Sequence, residues 1–241
     1  MYASFLVSLD GRIGLDGHSG PPPAIANDRD WRLFNELLVQ ADVVLSSGRY
    51  VRDIVEGSAQ DLLPRPGGPF DDLLAWRAER GLPPRPAVAI LTASGRLDAR
   101  AAAGLGDDVF VVTGQPLAPS VAGDLSAAGV GVVVTGGPGG EVGDDPLLVA
   151  LEERGHRVVF SAAGPRVLHT IAARLDALFL TLATRLVGGR GFSTLLEGAR
   201  LEVPPGFRVV SALLDTEAPD GANQLFLELV RHPFVRPGPP A

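Results

Sequence analysis

The residues of this chain that can do chemistry sit at the ends of short apolar runs. Arg49 follows Ser46-Ser47-Gly48, which in turn follows Val43-Val44-Leu45. A strand feeding a small-residue turn and then a helix aims backbone N–H groups and the positive end of the helix dipole at one spot. An anion suits that spot, and a guanidinium there grips a phosphate with two parallel hydrogen bonds. An ordinary strand-to-helix corner with a solvated arginine has the same signature. Asp10, in the Asp10-Gly11 pair that closes the first apolar run, is a candidate to orient substrate or relay a proton, and a plain turn aspartate reads alike. Small-residue turns recur at Thr92 to Gly95, Thr135 to Gly140 and Ala162 to Gly164.

Other chemistries are excluded by composition. With no cysteine there is no disulfide, thiolate metal site or cysteine nucleophile. His18, His156, His169 and His232 show no ligand spacing, so no metal centre is expected. The chain has 28 acidic against 21 basic residues, all of the latter arginine, for a net charge of -7. That balance argues against general nucleic-acid binding but not against one phosphate site. The first residues lack a basic stretch and a long apolar core, and no run approaches a membrane span, so a cytoplasmic protein is expected.

The elements that position these residues follow from periodicity. Strands are predicted at Tyr2 to Leu9, Val43 to Leu45, Ala87 to Leu91, Asp108 to Thr113, Val130 to Val134, Val158 to Ser161 and Leu175 to Leu182. Helices are predicted between them: Asp30 to Gln40 after an Asn27 or Asp28 cap, from Arg49, Phe70 to Arg80, Leu117 to Ala128, Pro146 to Arg154 and Arg166 to Arg174. Two final strands, Arg208 to Asp215 and Gln224 to Arg231, follow without an intervening helix. Alternation implies an α/β fold with a mostly parallel sheet covered on both faces, and the last strands imply an antiparallel edge. No linker or repeat interrupts residues 1–232, which reads as one domain, with a Pro-rich tail at 233–241. In such sheets ligands bind beyond the carboxyl ends of the strands, so the four small-residue turns would line a cleft fit for a dinucleotide. GxGxxG, GxxxxGK[ST] and GxSxG are all missing, so an ordinary dehydrogenase, P-loop or hydrolase site is not expected.

Ser8 to Gly14, SLDGRIG, resembles the first-strand signature of the riboflavin-biosynthesis pyrimidine reductases, which have a dihydrofolate-reductase-like fold. Gly48-Arg49-Tyr50 is similar to the Gly-Arg-x-Thr turn of dihydrofolate reductases. Ala162-Ala163-Gly164-Pro165 falls where the pyrimidine reductases have Glu-Gly-Gly-Pro, Leu175 to Leu178 where they have Val-Asp-Glu-Leu, and Leu186 to Gly189 where they have Leu-Leu-Gly-Gly. The family's reductase is often fused to a zinc deaminase, whose Cys/His cluster has no counterpart here, so the resemblance is to the reductase part.

The resemblance implies NADPH as cofactor and a pyrimidine or pterin-like small molecule as substrate. Ile13 and Gly14 would flank the nicotinamide. Gly48, Arg49, Tyr50, Thr92 and Ser94 would take the adenine-side phosphates, and Gly164, Pro165, Arg166 and Val167 would cap the pyrophosphate. Asp10 is the catalytic candidate, Asn27 and Ala162 the substrate-side positions, and a homodimer through the C-terminal strands is implied. The departures bear on substrate. Ala162 and Ala163 replace the family's glutamate and first glycine, its Trp-Ile-Thr-Ser aligns with Ala24 to Asn27, and Leu38 falls where it has an arginine that meets substrate phosphate. A methyl at Ala163 narrows the cofactor's approach to the backbone. These changes keep a second reading open: a reductase-like chain that has lost catalysis and binds a nucleotide or a partner protein. Thr135 to Gly140 is either a phosphate cradle of its own or a connection. His169 reads as a surface or core-edge histidine before a catalytic base, Trp31 and Trp76 as packing residues, and Arg185 and Arg190 as solvated loop arginines or contacts to an anionic substrate.

Overall fold

A computed structural model describes residues 1–15, 20–137, 140–218, 221 and 223–232. His18, part of the Thr135 to Gly140 turn and the Pro-rich stretch lie outside the described residues. The chain runs through β1 (Tyr2–Ser8), β2 (Arg12–Leu15), α1 (Asp28–Leu38), β3 (Val43–Ser47), α2 (Gly48–Val55), α3 (Asp71–Glu79), β4 (Ala87–Leu91) and α4 (Ala99–Ala103). It continues through β5 (Val109–Thr113), α5 (Pro119–Ala127), β6 (Gly131–Val134), α6 (Asp144–Glu153), β7 (Val159–Ser161) and α7 (Pro165–Ile171). The last elements are β8 (Ala177–Ala183), β9 (Phe192–Thr194), β10 (Gly206–Asp215) and β11 (Gln224–His232).

Among the described residues the main sheet has nine strands in the order β10-β11-β8-β1-β7-β3-β4-β5-β6. The neighbours from β8 through β6 are parallel, whereas β11 and β10 add antiparallel at one end. The mostly parallel α/β sheet with antiparallel C-terminal strands is therefore as expected. The strand β7 returns late in the chain to lie between β1 and β3. That insertion is the place where strand order reverses, and it brings the carboxyl ends of β1, β7, β3 and β4 side by side.

Side-chain alternation divides the core into two layers. Val44, Val88, Ile90, Val111 and Phe160 face one way and meet α1, α3, α4 and α5 through Leu38, Leu73, Ala102 and Leu125. Val43, Leu45, Ala89, Phe110 and Val112 face the other way and meet α6 and α7 through Leu147, Leu151, Leu168 and Ile171. Strands covered on both faces read as unbroken apolar runs, which is why β3, β4 and β5 were legible. Among the described residues, no helix is long and apolar enough to cross a membrane.

Three elements were not anticipated. The helix α4 is five residues of Ala and Arg capped by Asp98, too short and uniform to show a period. The strands β2 and β9 form a separate antiparallel ribbon of four and three residues, from stretches assigned no element above. Strands that short carry almost no alternation to detect.

Candidate functional site

The β3–α2 corner forms as its sequence dictates. Ser47 is extended and its hydroxyl accepts from the Tyr50 N–H at 3.3 Å, capping α2. Position 48 is a point of close approach: a methyl there would crowd Thr92 Oγ1 at 3.1 Å and Leu97 Cδ2 at 3.3 Å. The β3 turn and the turn after β4 thus lie against each other. Thr92 Oγ1 accepts from the Gly95 N–H and Ser94 Oγ from the Arg96 N–H, which holds the second turn in shape. Arg49 is 65% exposed, with Nε 3.9 Å from Asp53 Oδ2, a loose pair that leaves it able to meet an anion. Tyr50 donates its hydroxyl to the Gln60 carbonyl oxygen, and burial pushes the phenol up to about 12. It anchors the loop after α2, and its hydroxyl is not held towards a ligand.

The same corner has two arginines that the sequence did not single out. Arg52 and Arg96 meet through an Arg52 Nη1–H to Arg96 carbonyl contact of 3.4 Å. Both line the main cleft and also a side recess of about 580 Å³ walled by Val55, Leu97, Pro116 and Leu117. Arg52 lies three residues after Arg49 on α2, a helical spacing that gives the two residues neighbouring positions.

At the end of β7 the altered turn faces the cleft. Ala163 is 5% exposed and lines the cleft between Ala162 and Gly164. Gly164 also lines it, with nothing within 4 Å of where a Cβ would stand. Pro165 starts α7, and Arg166 and Val167 follow in its first turn.

Asp10 is held by donors from three segments of the chain. Its carboxylate accepts from Ser8 Oγ at 2.6 Å, Arg12 Nε at 2.6 Å, Val187 N–H at 3.1 Å and Gly188 N–H at 2.8 Å. Those donors, the Ser8 hydroxyl first, hold its carboxyl well below the usual range, so it carries no proton to give at neutral pH. It does not line the cleft. Arg12 extends the tie, donating to the Gly189 carbonyl oxygen at 2.8 Å and stacking 3.9 Å above Phe192. Asp10 is a clasp between the β1–β2 turn and the glycine loop before β9.

The remaining expected residues converge. Ile13, Gly14 and Asn27 line one cleft of about 1330 Å³ with Gly48, Arg49 and Tyr50. Thr92 and Ser94 close it at the β4 end, and Ala162, Gly164, Pro165, Arg166 and Val167 at the β7 end. His169 and Trp31 also reach it. Of the Thr135 to Gly140 turn, none of the described residues lines the cleft; Glu141 and Val142 beyond it do. Its glycines serve contact between backbones, since a methyl on Gly114 or Gly137 would lie 2.2 Å from the Glu141 carbonyl oxygen.

The first turn of α1 adds a group the sequence reading passed over. Asn27 Oδ1 accepts from the N–H groups of Arg29 and Asp30, both at 3.0 Å, while its Nδ2 is buried without a partner. Asp30 lines the cleft, and burial pushes its carboxyl up to about 6, partly offset by the Thr181 hydroxyl of β8. A signal existed: Asp30, Phe34 and Leu37 are spaced as one helix face, which places a carboxyl in an apolar stripe.

No protein-family model and no curated protein sequence matches the chain. Solved structures do. A pyrimidine reductase-like protein of Corynebacterium diphtheriae superposes over 96% of this chain and 92% of its own, with TM-score 0.70 and 21% identity. A riboflavin biosynthesis reductase of Saccharomyces cerevisiae covers 95% and 89%, with TM-score 0.57 and 12% identity. A diaminohydroxyphosphoribosylaminopyrimidine deaminase/5-amino-6-(5-phosphoribosylamino)uracil reductase of Thermotoga maritima gives 0.64 at 17% identity, and here the match spans 56% of the bifunctional chain. The chain thus has the fold of the pyrimidine reductases.

Proposed function

We propose that the chain is an NADPH-dependent reductase acting on a pyrimidine or related heterocycle, such as 5-amino-6-(5-phosphoribosylamino)uracil. One observation carries the reading: the residues expected to hold a dinucleotide and its substrate, Asp10 apart, line a single cleft of about 1330 Å³ at the strand-order reversal. Drug-sized sites run from roughly 300 to 1,000 Å³, so this one has room for a dinucleotide and a heterocycle together. The chain fits such a cofactor. The open backbone at Gly164 and the close-set turns at Gly48 and Thr92 suit phosphates, and Arg49, Arg52 and Arg96 lie on the adenine side. The nicotinamide supplies hydride when bound; the protein's part is to bind, orient and exclude water.

The second reading, a reductase-like chain without catalysis, rested on the Ala162-Ala163 turn. Ala162 and Ala163 line the cleft beside Gly164, whose backbone is open, which supports cofactor binding there in spite of the added methyls. Trp31 in the cleft gives the test. Its fluorescence should respond to NADPH with saturation, and Arg49→Ala should weaken NADPH by about 10- to 150-fold, the loss of one charged hydrogen bond of roughly 1.5–3 kcal/mol, with little change for NADH. Equal losses for the two cofactors remove Arg49 from the 2′-phosphate, and no response to millimolar NADPH ends the reductase reading. We also propose that the protein is a homodimer through β10 and β11.

A further inference from the structure

The side recess beyond Arg52 and Arg96 is a second concavity that hydride transfer in the main cleft does not use. It shares Arg52, Ala93, Ser94 and Arg96 with the cleft and has the rest of its wall to itself. Its volume of about 580 Å³ lies inside the roughly 300 to 1,000 Å³ of small-molecule sites. The unshared wall is mostly apolar, with Leu97, Pro116, Leu117 and Val121, and with Val55, 60% exposed, three residues after Arg52 on α2. Gly95 makes that wall continuous. Its φ is +64, and a methyl there would lie 2.7 Å from Leu117 Cδ2, so glycine lets Leu117 lie against the turn after β4. Arg52 and Arg96 supply the charge. Arg52 donates to the Arg96 carbonyl oxygen at 3.4 Å, and among the described residues neither guanidinium has a carboxylate partner. Two carboxylates also stand in the wall. Asp98 is committed to the cap of α4, accepting from the Ala101 N–H at 2.8 Å, and Glu56 is exposed at the end of α2, where it can turn to solvent. Two cations without carboxylate partners beside an apolar wall suit an anion carried on a flat apolar body.

We propose that the recess is a second ligand site, which takes an aromatic ring bearing a phosphate, and that its occupant draws Arg52 and Arg96 away from the cleft. The ring lies on Leu97, Pro116 and Leu117, and the phosphate meets the two arginines. A phosphate monoester carries about 1.5 to 2 negative charges at neutral pH, enough to engage both guanidiniums. The same two side chains line the main cleft, so an anion in the recess and one in the cleft compete for the same donors. Linkage then makes the recess ligand weaken NADPH, and NADPH weaken the recess ligand, by one factor. NADH, without a 2′-phosphate, should be weakened less. This coupling rests on the reductase reading above; occupation of the recess does not.

Phenyl phosphate is the probe, with inorganic phosphate and phenol as its two halves. In amide spectra of the 15N-labelled chain, it should shift Gly95, Leu97, Leu117 and Ala118 saturably. Each half alone should bind about tenfold or more weakly, since the ring and the anion are held by different parts of the wall. Val55→Glu places a carboxylate at helical spacing from Arg52, and Ala118→Trp fills the recess; each should abolish those shifts. Neither residue lines the main cleft. By calorimetry, saturating phenyl phosphate should raise the Kd of NADPH by about 5-fold or more in the wild type and leave it unchanged in Ala118→Trp. Shifts confined to Gly48 and Gly164 would make the cleft the probe's site and overturn the proposal. So would shifts of Leu117 and Ala118 by NADPH alone, because the recess would then belong to the cofactor. Unchanged NADPH affinity under saturating probe overturns the competition for the arginines. Failure of the wild type to bind NADPH overturns the reductase reading instead, and the amide shifts still decide the recess.

Discussion

A carboxylate's neighbours decide what it can do, and Asp10 and Asp30 show the two limits. Asp10 has four donors and stays charged; Asp30 sits among apolar rings and is held back from ionising. By sequence alone Asp10 resembles a reactive group and Asp30 an ordinary helix-start acid. The clasp reading of Asp10 gives a signed prediction. Its folded-state value is depressed, so its contribution is present above the unfolded value near 3.8 and is lost as pH falls towards the lower folded value. Asp10→Asn should therefore lower stability at neutral pH and flatten the acid limb of the stability curve. It should also speed hydrogen exchange at the Val187 and Gly188 amides, which lose their acceptor. Unchanged exchange at those two amides would show that the glycine loop is held by something else.

At the scale of elements, the contacts that fix helices against the sheet were legible where they are apolar and invisible where they are polar. The runs at β3, β4 and β5 and the face of α1 that carries Leu37 and Leu38 announce burial by pattern. The site was legible to the same extent, since strand ends with small-residue turns must meet at the edge of such a sheet. What the sequence does not carry is a pairing between distant residues. Thr181 lies far along the chain from Asp30, on the eighth strand, and nothing local joins them. Arg77 is the same case in the scaffold. One arginine within the predicted Phe70 to Arg80 helix, it is fully buried and ties α3 to the α1–β3 connection. Its guanidinium donates to the carbonyl oxygens of Val39 at 2.5 Å, Ala41 at 2.9 Å and Pro83 at 2.8 Å. Replacing it by methionine keeps most of the volume and leaves three carbonyls without donors, at roughly 1–3 kcal/mol for each that stays dry. Arg77→Met should lower the urea midpoint by an amount equal to about 3 kcal/mol or more, with NADPH affinity per folded molecule unchanged. A neutral substitution would mean that water replaces the guanidinium.

Across the whole molecule, the sheet is asymmetric in how it ends. At one end β6 is short, four residues beside β5, a length that limits edge-to-edge pairing. At the other, β10 is ten residues long, pairs on one side only, and exposes Val209, Val210, Leu213 and Leu214 at 54%, 42%, 68% and 61%. A long apolar edge strand left in water invites pairing with another chain, and a second copy of the same surface satisfies it by two-fold symmetry. The dimer reading follows from that exposure together with the antiparallel β10–β11 hairpin, which has an irregular register between Val209 and Ser211. The hairpin also reaches the cleft: β11 pairs with β8, the strand of Thr181, and Asp215 at the end of β10 holds Arg29 beside Asp30. Light scattering should give twice the chain mass of 25.1 kDa for the wild type. Leu213→Asp should shift it to the monomer, because a charge in a dry symmetric contact faces its own copy. If the contact also steadies the cleft, the monomer should bind NADPH normally, since the arginine end is remote from β10, yet lose kcat through the Arg29–Asp215 end. A wild type that is monomeric at all concentrations removes the dimer, and equal loss of NADPH binding and kcat would trace the effect to general unfolding.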